Sequence, residues 1–365
     1  TKFANGWTIG RNCVRKKLAS LCVAGALFST SALAQEDEAM RYDRALAAGY
    51  KAQFICSGLW NGGKSLADIK ADELTGLYDR VAEIVPTLAE EVDEKARRVR
   101  VRFADDAPPR VAIWNSQSGC TSMPIGFDGP EKVMPTGERT LVDDQPWPIG
   151  DRDAATTSAR QSTTVENAAE RAFRTDQYGG KSSAVLIIKN GKIHAEAYKQ
   201  GHDLHTAQRT WSVAKSLAGT LIGHSVQQKT VDINAPVGIA EWQRPGDPRA
   251  SLTIDQLMRM SSGLVSDTAG NRTDALYMGG ASVTERATIW PLLYMLYLNN
   301  GVWNGERLLP ENWREYVSTP SGPQPEGRNF GYGATFWLMN NSEGIPKDAF
   351  AGFGNRGQYL VIIPS

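Results

Sequence analysis

Residues 210–219 read TWSVAKSLAG, with Lys215 three positions after Ser212 and apolar Val213, Leu217, Leu221 and Ile222 recurring on one side of a helix that opens at the serine. On such a helix Ser212 and Lys215 share a face, so the amine can reach the hydroxyl. Two readings compete. In the first, Ser212 is a helix cap, the ordinary use of serine at a helix start. In the second it is a nucleophile. A serine hydroxyl needs a base to take its proton, and an amine can do so only when it is partly neutral. A helix start adds a favourable field and backbone N–H groups that could stabilise an oxyanion. Ser-x-x-Lys is common by chance and taken alone favours the cap, so the neighbouring segments decide.

Upstream, SAVLIIKNGKIHAEAYKQG (183–201) places two apolar runs around Asn190-Gly191, the pattern of a β-hairpin. Downstream come VDINAPV (231–237) and SLTIDQLMRMSSGL (251–264), in which Thr253 and Gln256 have capping-box spacing ahead of a short helix. Farther on stand LYLNNGVWNGERLLPENW (296–313), GYGATFWL (331–338) and GFGNRGQYLVIIPS (352–365), of which FGYGATFWLM and GQYLVIIP read as strands. Hairpin, helices, then strands predict an α+β domain whose antiparallel sheet draws strands from both ends and carries helices packed on it.

In that order these segments resemble the serine β-lactamase and penicillin-recognising superfamily, and within it the class C-like branch of 6-aminohexanoate-dimer hydrolase and related carboxylesterases. The resemblance implies acyl-enzyme chemistry on Ser212 with Lys215 as its proton partner, acting on a small-molecule amide or ester. It also implies a Tyr-x-Asn motif and a strand that lines the site. Tyr297-Leu298-Asn299 is the literal Tyr-x-Asn match, but it falls in a segment that resembles a later family helix, opened by Pro291 and closed near Gly301, and so reads first as a packed helix residue. Tyr277 is a second candidate, without the asparagine. The site-lining strand corresponds to FAGFGNRGQYLV, where Asn355, Arg356, Gly357 and Gln358 are the candidate substrate or oxyanion groups; a glycine-rich turn entering a strand is the plain alternative. Between Leu264 and Thr284 the chain has only VSDTAGNRTDALYMGGASV, where the branch carries a longer stretch. The expectation is therefore an internally shortened and C-terminally truncated member. A non-catalytic relative, either a binding module or a truncated gene product, is the alternative function.

The rest of the chain is read without the resemblance. Its 365 residues are 41% hydrophobic and 22% charged, enough for a large domain or two modest ones. Lysine plus arginine equals aspartate plus glutamate at 40 each, so no overall field favours nucleic acid. Within RNCVRKKLASLCVAGALFSTSALAQ (11–35) a basic block, a short apolar run and Ala32-Leu33-Ala34 follow in the order of a secretory signal, predicting residues 1–34 as a signal peptide cleaved near Ala34 and a periplasmic or secreted protein. No later stretch is apolar enough for a membrane span. Cleavage leaves Cys56 and Cys120, expected to form one disulfide in an oxidising compartment. Neither lies in a recognisable nucleophile setting.

In the region 35–125, MRYDRALAAGYKAQFICSG (40–58) reads as a short helix leading to an extended piece, and ADELTGLYDRVAEIVPTL (71–88) has helix-like spacing. RRVRVRFADDAPPRVAIWN (97–115) alternates Val99, Val101 and Phe103 with Arg98, Arg100 and Arg102, a hairpin with its arginines on the solvated face. Residues 126–160, rich in Gly, Pro, Asp and Ser, read as a linker before a domain over 161–365 that opens with a helix in TTVENAAERAFRTD (163–176). His194, His202, His205 and His224 are scattered without a carboxylate or cysteine grouping, so no metal and no cofactor are expected. Trp211 and Trp242 flank the motif and suit either a pocket wall or a core.

Overall fold

A computed structural model describes residues 38–365 except 117–118, 128, 130–144, 151, 153–162, 175, 177–180, 204–205, 207, 265–282, 285–288 and 323. The expected signal peptide, most of the expected linker and Tyr277 lie outside the described residues.

Among the described residues the chain is α+β, with two large cores and a small cluster of Val111, Ile113 and Met123. The first belongs to an N-terminal module. Helix α1 (38–60) is continuous through the piece expected to be extended, because Leu46, Tyr50, Phe54 and Ile55 continue its apolar stripe to Cys56. A π-helical turn at Ile69–Glu73 and a short helix at Asp79–Ala82 break the following stretch into pieces. Strands β1 (Glu90–Asp93), β2 (Arg98–Val101), β3 (Arg110–Asn115) and β4 (Gly119–Ser122) then form an antiparallel meander. The expected hairpin is its centre, with Val99 facing Ala112 and Val101 facing Arg110. Val99, Val101 and Phe103 are buried against α1, while Arg100 pairs with Glu91 at 3.1 Å on the outer side. Cys56 on α1 is bonded to Cys120 on β4.

The second core is the C-terminal half. Helix α2 (Thr163–Arg171) packs against the hairpin β5 (Ala184–Lys189) and β6 (Lys192–Tyr198), whose turn residues Asn190 and Gly191 are both left-handed. The described part of the linker touches this turn: Trp147 Nε1 donates to the Gly191 carbonyl at 2.8 Å. After β7 (Gln208–Arg209), which pairs with β8 (Val283–Thr284), comes α3 (Val213–Gln227). Helix α4 (Ile254–Met258) starts with the expected capping box. Helices α5 (Ile289–Leu298) and α6 (Trp313–Ser318) flank the small hairpin β9 (Val302–Trp303) and β10 (Glu306–Arg307). The last sheet is β11 (Gly331–Tyr332), β12 (Trp337–Leu338), β13 (Phe350–Gly354) and β14 (Gln358–Ile362), antiparallel in chain order.

Two sequence expectations change here. GYGATFWL is two strands rather than one, split at Thr335, whose φ of 61° turns the chain back. The hairpin β5–β6 and the C-terminal strands form separate sheets among the described residues, instead of one sheet fed from both ends.

The disulfide closes a loop between positions 64 residues apart, which on a chain-entropy basis limits the unfolded state by about 4 kcal/mol. Replacing both cysteines by serine is expected to lower the unfolding free energy by about 2–4 kcal/mol in non-reducing denaturant titration, and to abolish the wild type's sensitivity to dithiothreitol.

Candidate functional site

Ser212 is half-buried at the N-terminal end of α3, and its side chain makes no capping hydrogen bond to the helix. Instead, Lys215 Nζ donates to Ser212 Oγ at 3.0 Å. That geometry removes the cap reading and leaves a hydroxyl–amine pair on an exposed helix face, Lys215 being exposed. The helix start does not offer all the N–H groups expected of it. Val213 N donates to the Thr210 carbonyl at 3.2 Å and Ala214 N to the Trp211 carbonyl at 3.0 Å, so both amides are already engaged.

The residue before the serine is unusual. Trp211 has φ 50°, a left-handed conformation that bulky residues rarely adopt and that costs roughly 1–3 kcal/mol. Its indole compensates by burial in the core of the N-terminal module, 5.6 Å from the Phe54 ring. Trp211 is therefore a core residue rather than a pocket wall. Trp242 lies in a short 3-10 turn, with the Arg249 guanidinium 5.7 Å from its ring.

Strand β13 closes the other side of the serine's turn. A Cβ added at Gly354 would stand 2.4 Å from the Thr210 carbonyl oxygen and 3.1 Å from Trp211 Cβ, and one at Gly352 would meet Ser216 Oγ at 3.0 Å. Only glycine at 354 lets the strand lie this close to the backbone that leads into Ser212.

The turn that follows β13 contains the candidates Asn355, Arg356 and Gly357, with Gln358 opposite Gly354 across the strand pair. It sits beside the serine's approach, but its polar side chains are engaged elsewhere. Asn355 Oδ1 accepts from the Arg356 amide at 2.9 Å, and the Arg356 guanidinium reaches back to donate to the Glu73 carbonyl at 3.0 Å. Arg356 and Gly357 both have positive φ, so the segment is the glycine-rich turn of the plain alternative, placed at the rim of the site.

Tyr297 is not brought to Ser212. It is fully buried in the second core, its ring edge-on to Phe336 and Phe350, and its hydroxyl shares a 3.0 Å hydrogen bond with Thr220 Oγ1. Thr220 lies eight residues along α3 from Ser212, about 12 Å at 1.5 Å per residue. Burial pushes the phenol well above its ordinary pKa, so it stays neutral. The catalytic expectation for Tyr297 is corrected by this packing: the apolar face of α5 turns inward and takes the tyrosine with it.

The histidines do not converge with the pair. His224 Nδ1 lies 3.0 Å from the Leu308 carbonyl oxygen, and the pKa of His202 is lowered, first by burial and then by Lys199 and Lys64. His205 lies outside the described residues. Among the described residues no three His, Cys, Asp or Glu side chains group as metal ligands. The cavity at the far end of α3, about 620 Å³ and lined by Lys229, Asp232, Asn312 and Tyr316, does not adjoin Ser212.

One element of the site was not anticipated. Glu73, in the N-terminal module, accepts from Arg209 Nε at 2.9 Å and from Lys64 Nζ at 2.7 Å. Burial alone would raise its pKa, but the adjacent Arg209 and Lys64 charges hold it below the ordinary glutamate value. No local pattern links positions 73 and 209, which are far apart in sequence and meet only in the folded chain.

Comparison with known proteins bears on this arrangement. Residues 167–302 match the family model for beta-lactamase, a span that includes Ser212, Lys215 and the whole of α3. A solved structure from Bacillus anthracis, provisionally named a 6-aminohexanoate-dimer hydrolase, is 18% identical over 57% of this chain and 80% of that one, with a TM-score of 0.40. No curated protein matches the sequence at a significant level. The family match supports hydrolase chemistry in general and leaves the N-terminal module outside its span.

The close approach at Gly354 gives a direct test of the site's packing. Gly354→Ala is expected to lower stability by about 1–3 kcal/mol through overpacking, and Tyr297→Phe by about 1–2 kcal/mol through its lost hydrogen bond to Thr220, both read as shifts in denaturant midpoint.

Proposed function

We propose that the protein is an exported serine hydrolase that opens an amide or ester bond through an acyl-enzyme on Ser212. The observation that carries the reading is the 3.0 Å contact between Lys215 Nζ and Ser212 Oγ within the span that matches the beta-lactamase family model. Export is part of the proposal, supported by the signal-like order of residues 11–34 and by the Cys56–Cys120 disulfide.

The chemistry follows from the pair. Lys215 takes the Ser212 proton as Oγ attacks the substrate carbonyl carbon, giving a tetrahedral oxyanion and an ammonium. Collapse breaks the C–N or C–O bond, and the ammonium returns the proton to the leaving amine or alcohol. Water then attacks the acyl-serine, its proton passing through Lys215, and the freed Ser212 Oγ is reprotonated as the acid leaves. Lys215 thus acts first as base, then as acid, on both halves of the cycle. The substrate is a small amide or ester, consistent with the family.

A second reading is a non-catalytic beta-lactamase-like protein. It is favoured by one observation, that the Tyr297 hydroxyl is spent on Thr220 in the core and supplies no second base to the pair. Kinetics separates the two. With p-nitrophenyl acetate, Ser212→Ala and Lys215→Ala are each expected to lower kcat/KM by at least about 100-fold, and Tyr297→Phe by less than about twofold. A fluorophosphonate should add to Ser212, as located by peptide mass spectrometry. Turnover that survives Ser212→Ala would reject Ser212 as the nucleophile, and a wild type without turnover would reject the proposal in favour of the non-catalytic reading.

A further inference from the structure

We infer that the N-terminal module is a working part of the Ser212 site, in which Glu73 and Arg209 are positioning residues that fix the turn carrying Ser212 and Lys215. What is positioned rests on the functional reading above; the network that does it stands on its own geometry.

Glu73 is the hub. Its two carboxylate oxygens take Lys64 Nζ and Arg209 Nε, and its backbone carbonyl takes the guanidinium of Arg356. One buried residue of the module therefore grips the strand that enters Ser212 and also the turn that leaves β13. Arg209 lies three residues before Ser212, and its guanidinium lies over the Phe54 ring, 3.8 Å from the centroid. Its Nη1 and Nη2 have no hydrogen-bond partner among the described residues, so the Glu73 contact and the Phe54 face set its orientation. Phe54 also meets Trp211, and Tyr50 stacks on Phe54 at 3.9 Å. The side chains of both Arg209 and Trp211 thus enter the module, and Ser212 follows directly with its hydroxyl at Lys215.

Burial decides why this is more than adjacency. The Arg209 and Glu73 side chains are 3% and 9% exposed, so the pair is desolvated and its geometry is tightly held. An exposed pair on the same module, such as Arg41–Asp106 at 48% and 70%, is worth little and orients nothing. With Gly354 pressed on Thr210, the residues from 209 to 211 are clamped between the module on one side and β13 on the other. A clamp of this kind sets the direction of Ser212 Oγ without touching substrate.

The test uses the full chain in four versions beside the wild type: Glu73→Gln, Arg209→Lys, the pair Glu73→Met with Arg209→Met, and the control Arg41→Ala. Ester turnover, thermal midpoint and amide hydrogen exchange are measured on each. Glu73→Gln and Arg209→Lys are expected to lower kcat about tenfold or more with KM changed less than about twofold, while exchange over residues 208–217 speeds at least about tenfold and residues 220–227 keep their protection. The paired variant removes both charges of the Arg209–Glu73 pair but leaves the largely buried Lys64 without its carboxylate, so its midpoint should recover in part while kcat stays low; if the single variants do not fold, it carries the test alone. Recovery of kcat along with the midpoint, unchanged exchange over 208–217, or an equal loss of kcat in Arg41→Ala would overturn the inference. If the wild type itself shows no Ser212-dependent turnover, the functional reading fails, and the exchange comparison still decides whether the module holds this turn.

Discussion

The site depends on how the backbone is bent at Trp211. A bulky residue with φ 50° is held in that state only if its surroundings over-determine it, and here the indole is buried in a core that belongs to another part of the chain. The bend links the end of β7 to the start of α3 through only three residues, 210–212, and Ser212 stands at the helix start without a capping bond. Without the anchor, residues 209–212 would relax toward ordinary extended or helical values, and Ser212 would be free to cap α3 as serines usually do.

From this constraint the rest of the C-terminal core can be followed. Helix α3 buries Val213, Ser216, Gly219, Thr220 and Gly223, a mostly small-residue stripe that brings it close to β13 and α6. Ser216 Oγ donates to the Thr335 carbonyl at 2.7 Å, so a polar residue one turn past Ser212 ties the helix to the β11–β12 turn. Tyr297 completes the packing from α5 by meeting Thr220, with Phe336 and Phe350 around its ring. The helix bearing the pair is thereby fixed at two levels along its length, near Ser216 and near Thr220, in addition to the clamp ahead of Ser212.

Local features were the most legible in the sequence. The Asn190-Gly191 hairpin, the Thr253/Gln256 capping box and the alternation at 98–103 each rest on chemistry between near neighbours, and each stands in the structure as read. The Ser212–Lys215 contact belongs to the same class, because three-residue helical spacing is enough to create it. Long-range packing was less legible. Tyr297 could be recognised as a packed helix residue from its apolar neighbours, yet its Thr220 partner could not. Strand β13 was suggested by the resemblance but hidden from pattern, because FAGFG has too few side chains to alternate, and its glycines are what let it approach Thr210 and Ser216.

The N-terminal module marks the clearest limit of sequence reading. Its helix and meander are ordinary by pattern, and the arginine ahead of the motif gives no sign that it is buried. A buried arginine requires a carboxylate, and the carboxylate comes from Glu73, 136 positions earlier. That separation argues that the two parts of the chain are energetically coupled. Docking the module supplies the charge that Arg209 pairs with and the cover over Trp211, so the arrangement at residues 209–212 rests on both parts of the chain. Residues 167–302, the span similar to the beta-lactamase family model, would by themselves leave that arginine and that indole uncovered by the module. The physical unit that shapes the serine's turn is therefore larger than the family segment, and it begins in the helix that carries Tyr50 and Phe54.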